Sequence, residues 1–185
     1  FGRPEPGAEA GPHSVEPLIP ALAQALGRPV RFCPHLIGEE PVARSRGLTD
    51  GTVMLCENLR LHAGETANDL AFAAQLAKLG DIYMNDAFSC AHRAHASTEA
   101  LAHLLPAVAG PLMIEEIEAQ AETARADLPE LGGAVWEAAE TLREATEWMI
   151  AQGDLNDRFA GAVPYLMGFA RVLGAHYHLK AAIAE

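Results

Sequence analysis

Basic side chains are scarce in this 185-residue sequence, where 13 Lys and Arg stand against 25 Asp and Glu for a formal net charge of −12. Such a charge repels phosphate backbones and anionic headgroups, so we expect neither nucleic acid nor a membrane surface as the main partner. No apolar run approaches the roughly 18 residues that a membrane-spanning helix needs, and no signal segment opens the chain. A globular protein is therefore expected.

Cysteine is scarce as well. Cys33, Cys56 and Cys90 form no C-x-x-C pair and no pattern typical of a small disulfide-rich domain. Two of them fall in predicted strands, where cysteine commonly serves as a small apolar side chain. A reducing cytoplasm is the simplest prediction. The sequence also lacks a G-x-G-x-x-G element after a strand and a P-loop, so no nucleotide site is predicted.

Strand and helix signals alternate from residue 14 to residue 105. Ser14 can cap a first helix that Gly27 ends, and Asn68-Asp69 opens another. Strands are predicted over 29–33, 52–56 and 81–85, and helices over 14–26, 38–46, 68–78 and 98–105. The alternation implies parallel strands with right-handed helical crossovers, which is a doubly wound, Rossmann-like α/β sheet.

Beyond Pro111 the alternation stops and the chain becomes more acidic. Residues 1–110 hold 8 basic and 12 acidic side chains, whereas residues 111–185 hold 5 and 13. Helices are predicted over 112–125, 134–152 and 157–184, with Gly132-Gly133 as a break and Pro164 as a kink or split in the last one. The sequence thus predicts an α/β domain followed by an all-α segment.

Arginines stand just after two of the predicted strands. Arg60 lies in the stretch ENLRLHAGE and Arg93 in the stretch NDAFSCAHRAHAS. In open α/β sheets ligands bind beyond the carboxyl ends of the strands, where an arginine can make a forked contact to phosphate or carboxylate. The alternative is that both arginines only hold loops together, through carboxylates such as Glu57, Glu65 or Asp86.

These two stretches and the opening Phe1-Gly2-Arg3-Pro4 resemble, in the same order, three elements of the amino-terminal domain of phosphoglycerate kinase. The family elements are H-x-G-R-P, E-N-x-R-F-H-x-G-E and N-D-A-F-x-x-A-H-R-x-H-A-S, and the likeness covers residues 1–113. It implies a domain that binds 3-phosphoglycerate. The residues that match the family's substrate-binding positions are Phe1, Gly2, Arg3, Arg60 and Arg93.

The departures from the family also carry expectations. Its first strand, with R-V-D-x-N-x-P and a catalytic arginine, and its nucleotide-binding domain have no counterpart here. We therefore expect a truncated sheet that retains part of the 3-phosphoglycerate site, binds that ligand weakly and has no catalytic residue of its own. The full-length enzyme transfers a phosphoryl group between 1,3-bisphosphoglycerate and ADP in glycolysis. ATP or ADP with magnesium is expected only there, and the fragment is expected to be inactive alone.

Residues 114–185 resemble instead the carboxyl-terminal helical domain of certain acyl-CoA dehydrogenases. The stretches that carry this likeness are LREATEWMIAQ and NDRFAGAVPYLMGFARVLGAHYHLKAAIA. No flavin contact follows from it. This likeness offers two alternatives to a kinase fragment. One is a helical interaction module, which could also associate with itself through its helices. The other is a non-natural chimera.

A metal site is the weakest option. Cys90, His92, His95 and His103 have irregular spacing, and the kinase likeness already accounts for His92 and His95 as loop residues. We therefore predict no metal site.

Overall fold

The structure, a computed structural model, describes residue 2, residues 4 and 5, and residues 7–184. The chain forms two compact units, one of Phe1–Asp81 with Ala94–Leu104 and one of Ile82–Arg93 with Leu105–Glu185. The predicted domains, 1–113 and 114–185, follow likeness along the sequence and remain a prediction. Within the described part of the chain, no helix is long and apolar enough to cross a membrane.

The first unit contains a two-stranded parallel sheet. Strand β1 (Val30–Cys33) pairs with strand β2 (Val53–Cys56), so that Cys33 lies opposite Cys56. Helix α2 (Glu39–Arg46) forms the crossover between them. Of the residues of these two strands, all of which are described, Cys33 alone is buried. The α/β fold class is confirmed here, with side chains of both strands left partly open to solvent.

Helices and turns surround this sheet. They are α1 (Ile19–Leu26), α3 (Ala63–Thr66), α4 (Leu70–Leu76), a π-helical turn at Ala96–Ala100, and 3₁₀ segments at Gly11–His13, Glu16–Leu18, Leu59–Leu61, Ala77–Leu79 and Leu101–His103. Gly27 ends α1 in the left-handed region at φ 62°, and Asp69 caps α4 by accepting a hydrogen bond from Phe72 N at 2.6 Å. Both caps follow from the sequence. The short α3 was not predicted.

The core of the first unit is formed by α4 and the turns after residue 95. Its buried residues are Leu36, Phe72, Ala73, Leu76, Ala96 and Ala100.

The second unit contains its own parallel pair of strands, β3 (Tyr83–Asn85) and β4 (Ala107–Ala109). Strand β4 is a correction, because the sequence predicts no strand after residue 85. Its three residues, Ala-Val-Ala, are poor in strand-forming side chains, and they form a strand because they pair with β3 and are each at most 3% exposed.

Three helices complete the second unit: α5 (Pro111–Ala124), α6 (Pro129–Ala151) and α7 (Leu155–Ala184). The predicted break at Gly132-Gly133 is wrong, because α6 runs through both glycines. A Cβ on Gly132 would lie 2.8 Å from the carbonyl oxygen of Ala121 on α5, so the glycine allows the two helices to approach closely. Helix α7 is not split at Pro164 either. Packing of α7 against its neighbouring helices offsets the loss of the hydrogen bond that the proline cannot make.

Buried residues of α7 recur at intervals of three, four and seven and face the core of the second unit. They are Ala162, Tyr165, Val172, His176 and Leu179. Tyr165 adds polar contacts, because its hydroxyl accepts a hydrogen bond from Ala109 N of β4 at 2.8 Å and lies 2.5 Å from the Thr146 hydroxyl of α6. Burial raises the pKa of Tyr165 above its ordinary value, although these two hydrogen bonds lower it in part. The hydroxyl therefore links three elements of the unit while remaining protonated at neutral pH.

Candidate anion-binding site

Arg60 lies in the turn that follows strand β2. The strand ends at Cys56, and Asn58 Oδ1 accepts a hydrogen bond from Arg60 N at 3.1 Å, which starts the 3₁₀ segment Leu59–Leu61. The arginine is thus held at the carboxyl end of a parallel strand, where the sequence analysis expected it.

A buried carboxylate braces this turn. Glu57 is 7% exposed, and its side chain accepts hydrogen bonds from Ser14 Oγ at 2.6 Å, Val15 N at 2.9 Å and Asn58 N at 2.7 Å. Burial alone would raise the pKa of Glu57, but the hydrogen bonds outweigh it and hold the pKa below its ordinary value of 4.5. Glu57 is therefore ionised at neutral pH and fixes the turn to the segment before α1.

The amino-terminal loop lies beside the same turn. Asn58 Nδ2 donates hydrogen bonds to His13 O at 3.0 Å and to Gly2 O at 3.4 Å, and Gly7 N donates to Leu61 O at 3.0 Å. The structure thus brings Gly2 next to the loop of Arg60. The other two predicted residues of this loop, Phe1 and Arg3, lie outside the described residues. Sequence reasoning gave Asn58 no role, because nothing in its local pattern signals contacts to residues that distant in sequence.

Arg60 is half-buried as a residue, and its guanidinium makes no hydrogen bond or ion pair to another described residue. The nearby carboxylates are engaged elsewhere. Glu65, 4% exposed, accepts hydrogen bonds from Ser97 Oγ at 2.6 Å and Ser97 N at 3.0 Å, and lies 3.7 Å from His95 Nδ1. The alternative in which Arg60 pairs with Glu57 or Glu65 therefore has no support among the described contacts.

Arg93 belongs to the second unit and follows strand β3. Beyond the strand comes a 3₁₀ segment, Phe88–Cys90, and Arg93 N donates to Cys90 O at 3.0 Å to close the next turn. Asp86, in the same stretch, accepts a hydrogen bond from Met113 N at 3.2 Å and so caps the first turn of α5. The side chain of Arg93 is half-buried.

Across the described part of the chain, no three His, Cys, Asp or Glu side chains come together in a group that could hold a metal ion. His103 Nε2 instead lies 2.9 Å from Glu99 Oε1. The chemistry available to the site is that of a planar cation at a strand end, which binds phosphate or carboxylate through two parallel hydrogen bonds. Fold and site together define an α/β protein with a candidate site for a small anion.

Comparisons with known proteins identify the family to which the chain belongs. The family model described as phosphoglycerate kinase matches residues 1–134, so the chain belongs to the phosphoglycerate kinase family. A second model, described as acetyl-CoA dehydrogenase C-terminal like, matches residues 113–185. Both resemblances seen in the sequence are thereby confirmed.

Individual relatives agree with this assignment. The chain is 55% identical over 119 residues to a phosphoglycerate kinase of Rhodospirillum centenum and 54% identical over 119 residues to one of Methylobacterium radiotolerans, each match covering 64% of this chain and 30% of the relative. The solved phosphoglycerate kinase of Coxiella burnetii matches with a TM-score of 0.54 at 37% identity, over 68% of this chain and 30% of that one. The enzyme of Pyrococcus horikoshii OT3 matches with a TM-score of 0.55 at 28% identity, over 62% and 30%. The chain thus spans about 30% of the length of these relatives.

Proposed function

We propose that this chain binds 3-phosphoglycerate and does not by itself transfer a phosphoryl group. The ligand carries a phosphate and a carboxylate, both of which suit the guanidinium fork. The proposed binding residues are Phe1, Gly2, Arg3, Arg60 and Arg93.

The observation that carries the proposal is the state of Arg60. No described carboxylate pairs with the Arg60 guanidinium, so its hydrogen-bond donors are available to an anion. Its turn is braced by Glu57 and Asn58, so little order has to be created on binding. A held turn and an available cation are what a small anionic ligand requires.

The absence of turnover is proposed from the sequence. Phosphoryl transfer depends on positioning the donor phosphate and neutralising charge with metal, lysine and arginine. The 185 residues contain no glycine-rich phosphate loop after a strand and no P-loop. We therefore assign ATP or ADP and magnesium to the longer relatives and expect no ATP-dependent conversion of 3-phosphoglycerate by this chain.

Calorimetric titration of 3-phosphoglycerate into the full chain tests the binding site. We expect weak binding, with a Kd of about 1 mM. Arg60→Gln should weaken it by about 10-fold or more, because a hydrogen bond to a charged group is worth about 1.5–3 kcal/mol. Arg46→Gln is the matched control, since Arg46 is exposed at the end of α2 and its substitution removes the same charge. Equal weakening by both substitutions would mean that net charge alone attracts the ligand, and the proposed site would be wrong.

A further inference from the structure

The second unit has an apolar groove between α6 and α7 that no described residue fills. Two cavities, of about 610 and 640 Å³, lie along the seam of these helices. Both are lined by Ala138, Arg171 and Val172, so they form one continuous groove. On α6 the lining runs from Leu131 to Trp148, about 26 Å at about 1.5 Å per residue, which is the length of about five helical turns.

Small residues alternate with larger apolar ones in the lining of this groove. Ala138 and Ala145 line it from α6, and Gly168 and Ala175 line it from α7. A Cβ added at Gly168 would meet no atom within 4 Å, so the space above this glycine is open. The groove therefore has room for large side chains from another molecule.

Large apolar side chains stand at the two ends of the groove. Leu131 is 56% exposed at one end and Trp148 is 51% exposed at the other. Exposed tryptophan beside a groove is typical of residues that contribute most to binding energy. Helix α5 does not cover this side, because Gly132 and Arg143, which contact α5, lie on the opposite face of α6.

The outer edge of the groove is acidic. Glu130, Glu137 and Glu144 recur at seven-residue intervals on α6, and each lies one turn before a residue that lines the groove: Ala134, Thr141 and Trp148. All three glutamates are exposed and form no ion pair with another described residue. Glu140, which neighbours Glu137 and Glu144 on the helix, instead lies 3.8 Å from Arg143 Nε.

We propose that the groove between α6 and α7 binds an amphipathic helix that carries large apolar side chains on one face and Lys or Arg along one flank. The apolar face would enter over the small residues, as in other helix-in-groove interfaces, and the basic flank would lie along the three glutamates. The incoming helix makes a fourth beside α5, α6 and α7, which is the usual number for a bundle. A second copy of this chain fits less well, because residues 111–185 hold 13 acidic and 5 basic side chains and Arg171 is the one arginine that lines the groove.

The test uses two synthetic helices of about 20 residues with the same leucine face, one flanked by Lys and one by Glu, each labelled and titrated with the full chain by fluorescence anisotropy. We expect the Lys-flanked helix to bind at least about tenfold more tightly, with an advantage that shrinks as salt is raised. Equal binding of both helices would overturn the charge assignment.

Variants locate the binding. Gly168→Leu places a side chain in the open space and should weaken binding of the Lys-flanked helix by at least about tenfold. Gly174→Leu is the matched control, because Gly174 lies on α7 outside the groove and a Cβ there also meets no atom within 4 Å. Glu144→Gln should weaken binding more than Glu147→Gln, since Glu147 lies on a different face of α6 from the groove.

Three results would overturn the proposal. Neither helix binds, or Gly174→Leu weakens binding as strongly as Gly168→Leu does. The third is that sedimentation equilibrium shows the chain to be a dimer, and that Gly168→Leu abolishes the dimer. The last result would assign the groove to a second copy of the chain.

Discussion

His176 makes the stability of the helical unit depend on pH. The side chain is 1% exposed, and neither ring nitrogen has a hydrogen-bond partner among the described residues. It packs edge-on against Phe88, with the ring centroids 4.8 Å apart, and lies 5.4 Å from the ring of Tyr177. Burial lowers the pKa of His176 below its ordinary value of 6.5, nearby Lys180 lowers it further, and Glu116 of α5 opposes both. The folded unit therefore holds this histidine neutral.

The sign of the pH effect follows from that lowered pKa. The unfolded chain takes up a proton at His176 as the pH falls below about 6.5, whereas the folded chain does not until a lower pH. The unfolded state therefore binds more protons, and the free energy of unfolding falls with falling pH. Between about pH 7.5 and about pH 5.5 the loss from this one group amounts to as much as about 1.4 kcal/mol.

Replacement of the histidine by a side chain of similar volume tests the effect. His176→Leu removes the titrating group together with two unsatisfied nitrogens, so its unfolding free energy should change less between the two pH values, by about 1 kcal/mol. Urea unfolding followed by tryptophan fluorescence measures it, since Trp136 and Trp148 both lie in the helical unit. His178→Gln, at an exposed position on the same helix, should keep the pH dependence of the parent chain.

Parallel pH profiles of the parent chain and His176→Leu would refute the reasoning. They would mean that the imidazole is protonated, or otherwise partnered, in the folded unit.

Close approaches of glycine give two more predictions, both measured by urea unfolding. Gly132→Ala should destabilise the helical unit by about 1–3 kcal/mol, because its methyl group would press on the carbonyl oxygen of Ala121. Gly133→Ala is the control: its methyl group would meet no atom within 4 Å, so it should be neutral or stabilising by up to about 1 kcal/mol. Equal effects of the two substitutions would contradict the proposed helix contact. Gly110→Ala should cost about 1–3 kcal/mol, because its methyl group would overlap the carboxylate of Asp86. Added to an Asp86→Gly background, which removes the Cβ of residue 86 as well as its carboxylate, the same change should cost clearly less. Strict additivity of the two substitutions would rule out the clash.

Elements with strong local signals could be predicted from the sequence. Asp69 as a helix cap and Gly27 as a helix end act through their own backbone neighbours, so the pattern alone places them. Strand β4 and the start of α6 could not be predicted, because distant contacts decide both. Ala107–Ala109 becomes a strand by pairing with Tyr83–Asn85, and Gly132 remains helical because it packs on α5.

The candidate site shows the same division. The position of Arg60 after a strand follows from a motif and the alternation of elements. The brace around it does not, since Glu57 and Asn58 contact residues more than 40 positions away in sequence, Ser14 and His13. No spacing rule connects partners that only the folded chain brings together.

The bonds of the Tyr165 hydroxyl have a consequence for the uniqueness of the helical packing. The buried stripe of α7 repeats nearly every seven residues, so a helix displaced by two turns would still bring apolar side chains to the core. Apolar contacts alone distinguish poorly between the native and the displaced positions of the helix. A slipped helix would carry the phenol away from Ala109 N and the Thr146 hydroxyl and leave a buried amide without its acceptor. The Tyr165 hydroxyl thus disfavours misaligned arrangements of α7. We expect a chain with phenylalanine at this position to populate more than one packing of its helices, even where its overall stability is little changed.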